Sequence, residues 1–76
     1  MKKYRIIVKI KPNVLDPEGK AIQQAAERMQ FTGINSIRVG KSFEVEVEDN
    51  VKKEMVEELA KKFLINPIIE IFEIEG

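Results

Sequence analysis

The chain has 76 residues, 43% of them hydrophobic and 34% charged, which is room for one compact domain over residues 1–76 and too little for two. Its 13 basic and 13 acidic side chains cancel, and a neutral chain lacks the excess basicity that phosphate-backbone binding needs, so nucleic acid is not an expected partner. With no cysteine and no histidine, disulfides, thiolate zinc sites, nucleophile–histidine catalysis and imidazole ligation of haem are excluded together.

Met1-Lys2-Lys3 is basic, but Arg5, Lys9 and Lys11 interrupt the segment behind it, so no signal-peptide core is present. The apolar runs Ile6-Ile7-Val8 and Phe63-Leu64-Ile65 fall far short of the roughly 18 residues that a membrane span needs. A soluble, cytoplasmic protein with no membrane partner is expected. A domain this small hides only about 60% of the surface its unfolded chain exposes, which makes self-association a reasonable expectation.

Tyr4, Ile6, Val8 and Ile10 alternate with Arg5, Ile7, Lys9 and Lys11, the period of a strand with one buried face, and Pro12-Asn13 closes it. Asp16 is placed to cap a helix and Pro17 suits its first position. Ile22, Ala25, Ala26 and Met29 then recur at helical spacing, giving a helix over about 17–30. Gly33 allows a turn, and Ile37 and Val39 predict a second strand. Gly40-Lys41 reads as a two-residue type II′ hairpin loop into a third strand. There Phe43, Val45 and Val47 alternate with Ser42, Glu44, Glu46 and Glu48.

Asp49 and Asn50 precede a second helix whose expected buried stripe is Val56, Leu59, Ala60 and Phe63, ending by Asn66-Pro67. Ile68 to Ile74 reads as a last strand. The order β-α-β-β-α-β implies an α+β, ferredoxin-like split β-α-β sandwich: a four-stranded antiparallel sheet, ordered 4-1-3-2, with two helices on one face. The open face would set the basic ladder of the first strand beside the acidic ladder of the third, paired across strands. The last strand is apolar on both sides. Ile7, Ile69 and Ile71 are therefore the expected self-association surface.

The chemistry is sparse. Thr32, Ser36 and Ser42 have no histidine to activate them, and Glu44, Glu46 and Glu48 form a splayed ladder rather than a converging acid–base or metal set. The free amides beside Gly19 would suit an anion, but Asp16 already occupies that cap. An RNA-binding sheet would need aromatics where the third strand has glutamates. No catalytic, cofactor or metal residues are expected, and the function implied is contact.

Leu15-Asp16-Pro17-Glu18-Gly19-Lys20-Ala21 after Lys11-Pro12, then Arg38-Val39-Gly40-Lys41, then Asn66-Pro67-Ile68-Ile69-Glu70, resembles the PurS family in order and spacing over nearly the whole chain. That resemblance implies the non-catalytic small subunit of phosphoribosylformylglycinamidine synthase in de novo purine biosynthesis. Its partners would be itself, as dimer or tetramer, the PurQ glutaminase and the PurL synthetase, with ATP, Mg and glutamine used by those partners. The subunit would bridge them and help ammonia reach formylglycinamide ribonucleotide. It also marks Asp16, Pro17, Gly19, Arg38, Gly40, Lys41, Asn66 and Pro67 as partner-interface positions, with Arg38 and Lys41 held together at the hairpin tip. The alternative is an ACT-like, small-ligand-binding regulatory dimer, in which Gly19 would belong to the ligand turn.

Overall fold

A computed structural model describes residues 1–76. Strand β1 (Lys2–Ile10) is followed by helix α1 (Pro17–Arg28), strand β2 (Gly40–Val47), helix α2 (Lys53–Leu59) with a π-helical turn at Ala60–Leu64, and strand β3 (Glu70–Glu75). The sheet has three strands in the order β2-β1-β3, both pairings antiparallel. No helix is long and apolar enough to cross a membrane.

The four-stranded sheet expected from the sequence does not form. Gly40 and Lys41 are not a hairpin loop: they lie in the ladder opposite Lys9 and Val8. A Cβ on Gly40 would stand 2.7 Å from the Val8 carbonyl oxygen, so glycine serves close strand approach there rather than a turn. Residues 31–39, including the predicted strand at Ile37 and Val39, form no turn, bend or sheet bond and run straight into β2. The two helices do not share the covering of one face either. From α1 only Gly19 is buried, whereas Val56 of α2 and Ala60 of the π turn pack against Tyr4, Ile6 and Val8 of β1 to make the core.

The helix ends show why the boundaries fall where they do. Asp16 caps α1 through its side chain and Pro17 occupies the first turn, as the sequence predicts. The exit is closed by Gln30 at φ 70°, not by Gly33: the Phe31 N–H donates to Ala26 O at 3.1 Å and the Gln30 N–H to Glu27 O at 3.0 Å. That pair of bonds is a Schellman closure. The residue before α2, Lys52, makes no side-chain cap, so Asp49 and Asn50 do not perform the role expected of them.

In the π turn the Ile65 N–H reaches back five residues to Ala60 O at 3.1 Å. The extra residue rotates the apolar stripe, so Leu64 and Ile65 join the core in place of Phe63, which is 78% exposed.

The outer sheet face matches the sequence reading. Lys3 lies opposite Glu46, Arg5 opposite Glu44 on one side and Glu75 on the other. Exposed ion pairs span the strands from Lys3 to Glu44 at 4.0 Å and from Lys9 to Glu73 at 3.5 Å. Such solvated pairs contribute little individually and mainly set register.

Candidate functional site

One end of the sheet gathers most of the motif residues. The loop leaving β1, the first turn of α1, the run into β2 and the turn into β3 meet there. Asp16 is buried, and its two carboxylate oxygens are divided between elements: Oδ1 accepts from the Gly19 N–H at 3.0 Å and Oδ2 from the Val39 N–H at 2.6 Å. One side chain thus caps α1 and fastens the 31–39 segment to it. Gly19 makes that approach possible, because a Cβ there would run into the Ile37 carbonyl oxygen. The chain that closes on Gly19 is its own.

The Gly19 N–H, then the Val39 N–H, hold the Asp16 carboxyl below its ordinary value of 3.8 against the opposing effect of burial, with the Arg38 charge and the Glu18 N–H adding to the lowering. A carboxyl whose folded value is depressed contributes stability above pH 3.8 and loses it as pH falls through the folded value. Asp16→Asn is therefore expected to melt below the wild type at neutral pH. The gap should close as pH drops below 3.8, read by thermal melts across a pH series.

Arg38 lies on the same corner, but its Nη2 donates to the main-chain carbonyls of Lys11 at 2.8 Å and Val14 at 2.9 Å, bracing the loop after β1. Lys41 points another way: Nζ is 3.7 Å from Glu70 Oε2 and 5.9 Å from the Phe43 ring centroid. Glu70 Oε1 accepts from the Asn66 N–H at 2.7 Å, and Asn66 Oδ1 accepts from the Ile68 N–H at 3.1 Å, so Asn66-Pro67 builds the turn that aims β3. A depression of about 280 Å³ lined by Asp16, Gly40, Lys41 and Glu70 joins the two groups.

Glu70 is the residue the sequence reading did not single out. Its signal was present: it shares the inward alternation of Phe72 and Ile74, so a carboxylate at that position needs a partner, and its side chain is only 14% exposed.

On the outer side of the same corner an open groove of about 980 Å³ is bordered by Ile7, Lys9, Pro12, Arg38, Lys41 and Ile71. Ile71 and Ile69 are 43% and 37% exposed and Ile7 is half-buried, so the three expected self-association residues lie on or beside that face. No three carboxylates converge closely enough to share a metal ion. Asp16, Arg38, Lys41, Asn66 and Glu70 are each engaged by one another or by the main chain. That arrangement positions loops and shapes a surface.

The PurS family profile, described as phosphoribosylformylglycinamidine (FGAM) synthase, matches residues 3–76. The fold is similar to the B. subtilis PurS structure, with a TM-score of 0.91 and 35% identity over 99% of this chain and 96% of that one. Methanocaldococcus jannaschii PurS, described as one of the subunits of formylglycinamide ribonucleotide amidotransferase in the purine biosynthetic pathway, is 39% identical over 99% and 94% of the two chains, with a TM-score of 0.86. A chain of the Thermotoga maritima PurLQS structure aligns over 99% of this chain and 98% of its own, at 29% identity and a TM-score of 0.80. The motifs that form the corner around Asp16 thus sit in a chain matched nearly end to end, and the protein belongs to the PurS family.

Proposed function

We propose that this chain is the small subunit of phosphoribosylformylglycinamidine synthase in purine biosynthesis, assembling with a PurQ glutaminase and a PurL synthetase and holding no active site of its own. The observation that carries this reading is the match over residues 3–76, together with the Thermotoga maritima PurLQS likeness. The chemistry agrees with it: a chain without histidine or cysteine has no ready nucleophile, and its buried carboxylate is engaged by two main-chain amides.

In this reading the glutaminase releases ammonia from glutamine, and the synthetase uses ATP and Mg to activate the amide oxygen of formylglycinamide ribonucleotide. Ammonia then displaces the phosphate to give the amidine. The small subunit joins the two and helps ammonia pass between them in the cytoplasm. Lys9, Lys41 and the part of the Arg38 guanidinium not bonded to the loop border the outer groove. That groove is the proposed seat for carboxylates of a partner, in keeping with the enrichment of arginine at subunit interfaces.

Light scattering coupled to size exclusion, with the three subunits mixed in the presence of ATP and glutamine, tests the assembly, and an amidine-formation assay tests its purpose. Co-elution is expected, with glutamine-dependent turnover falling by at least tenfold when this chain is left out. Turnover with added ammonium salt should persist without it, because external ammonia bypasses the transfer. Equal glutamine-dependent turnover with and without the chain overturns the reading, as does absence of association together with binding of a free amino acid, which would favour the ACT-like regulatory dimer.

A further inference from the structure

The outer face of the sheet falls into two unlike halves. Towards one end Lys3 lies opposite Glu46, and Arg5 lies between Glu44 and Glu75, so both cations there meet carboxylates across the strands. Towards the corner around Asp16 the rows read Ser42–Ile7–Glu73 and Gly40–Lys9–Ile71, and the Lys11 N–H donates to Ile69 O at 2.8 Å to continue them. Lys9 has Glu73 at 3.5 Å, but neither Lys11 nor Arg38 forms an ion pair within the chain. Gly40 leaves its place in the row without a side chain, which opens the groove of about 980 Å³ beside Lys9.

Cations and aliphatic groups are sorted into separate columns in this half. Lys9 and Lys11 follow β1 with Arg38 on the β2 side, while Ile69 and Ile71 lie along β3, 37% and 43% exposed. Arg38 is already oriented by the Lys11 and Val14 carbonyls on Nη2, so its remaining N–H groups meet a carboxylate with less loss of rotamer freedom. A small anion gains little here, because Lys9 and Arg38 are exposed and water screens a lone charge pair. A second copy stacked on the groove about a two-fold axis brings Lys9, Lys11 and Arg38 of both chains together, like against like. The occupant that suits both columns is a polypeptide segment with carboxylates on one edge and aliphatic side chains on the other.

We propose that the groove seats such a segment of the glutaminase, its carboxylates towards Arg38, Lys9 and Lys11 and its aliphatic side chains on Ile7, Ile69 and Ile71. This assignment rests on the ligase reading above, in which external ammonia bypasses the chain. The contact that glutamine-dependent turnover cannot do without is then the one that brings in the glutaminase. The aliphatic stripe that the sequence marks for self-association becomes a contact with a different subunit. The Lys3 and Arg5 half of the same face, with its charges already matched, lies outside it.

The test titrates this chain into a fixed mixture of glutaminase and synthetase. Lys11→Glu breaks no internal ion pair and Ile71→Glu alters an exposed position, so both are expected to keep the wild-type melting curve. Each should raise the concentration of chain needed for half-maximal glutamine-dependent turnover by roughly tenfold or more. Lys3→Glu makes the same charge change as Lys11→Glu at the other end of the strand and should stay within about twofold. Wild-type titration by both Lys11→Glu and Ile71→Glu overturns the proposal and leaves the ligase reading intact, since that reading is scored on the wild-type chain. A mixture that gains nothing from the wild-type chain overturns both. Photo-crosslinking from benzoylphenylalanine in place of Ile69 decides even if a charged variant does not fold: an adduct with a glutaminase peptide rich in Asp and Glu is expected. An adduct with the synthetase or with a second copy, or none in a mixture that turns over glutamine, overturns the proposal.

Discussion

Gly19→Ala should lower the melting temperature by roughly 10–20 °C, corresponding to about 2–3 kcal/mol of overpacking. Two effects compete at this position. Alanine is the better helix former by about 1 kcal/mol, so α1 as an isolated peptide would gain from the change. In the folded chain the new Cβ runs into the Ile37 carbonyl oxygen and stands 2.9 Å from both the Ile37 carbonyl carbon and Asp16 Oδ2. Main chain cannot step aside as a flexible side chain would, and the carboxylate is already held on both oxygens. The steric cost therefore outweighs propensity and the 31–39 segment separates from α1. A circular-dichroism melt of the variant decides the matter: a raised melting temperature would mean that propensity wins and that the approach of residues 34–39 to α1 is loose.

Ile6→Ala should cost about 2–5 kcal/mol, enough to leave the chain largely unfolded at 37 °C if its stability lies near the lower end of the usual 5–15 kcal/mol. Ile6 is fully buried at the centre of the middle strand, packed with Tyr4, Val8, Val56 and Ala60, and these five are the whole of the buried apolar core. Truncation opens a cavity that neither neighbouring strand can collapse into without breaking the ladder on both sides. Phe63→Ala removes a larger side chain, yet its 78% exposure places the expected change within about 0.5 kcal/mol. Urea unfolding of the two variants side by side checks both; a comparable loss from Phe63→Ala would mean that the π turn does not direct that ring away from the core.

The contrast between Ile6 and Phe63 marks how far the sequence could be read. Both are apolar residues at the right spacing for their element, and only one is inside. The two-residue alternation of β1 is a local property of strand geometry, so its buried face was legible. The displacement of Phe63 by Leu64 and Ile65 depends on one five-residue hydrogen bond at Ala60 that no periodicity announces. Arg38 shows a similar divide. An arginine clustered with Lys41 at an expected hairpin tip read as a partner contact, while the structure spends its Nη2 on two loop carbonyls from a segment more than twenty residues earlier.

The sequence by itself determined the strand at β1, the two helices, the inward face of β1, β2 and β3, the opposed charge ladders, the cap at Asp16 and membership of a family whose motifs lie in order along the chain, but not the number of strands. The structural ones among these rest on interactions within a few residues or on a fixed pleat period, and the family resemblance on motifs spread along the whole chain. The tertiary structure alone decided that Gly40-Lys41 continues a strand instead of reversing it, that residues 31–39 join no strand of the sheet, and that α1 is fastened to that segment and left off the core. A Gly-Lys pair tolerates both a tight turn and an extended ladder at little local cost. The choice was made by long-range partners: Val8 and Lys9 across the ladder, and the Asp16 carboxylate that bridges the start of α1 to Val39.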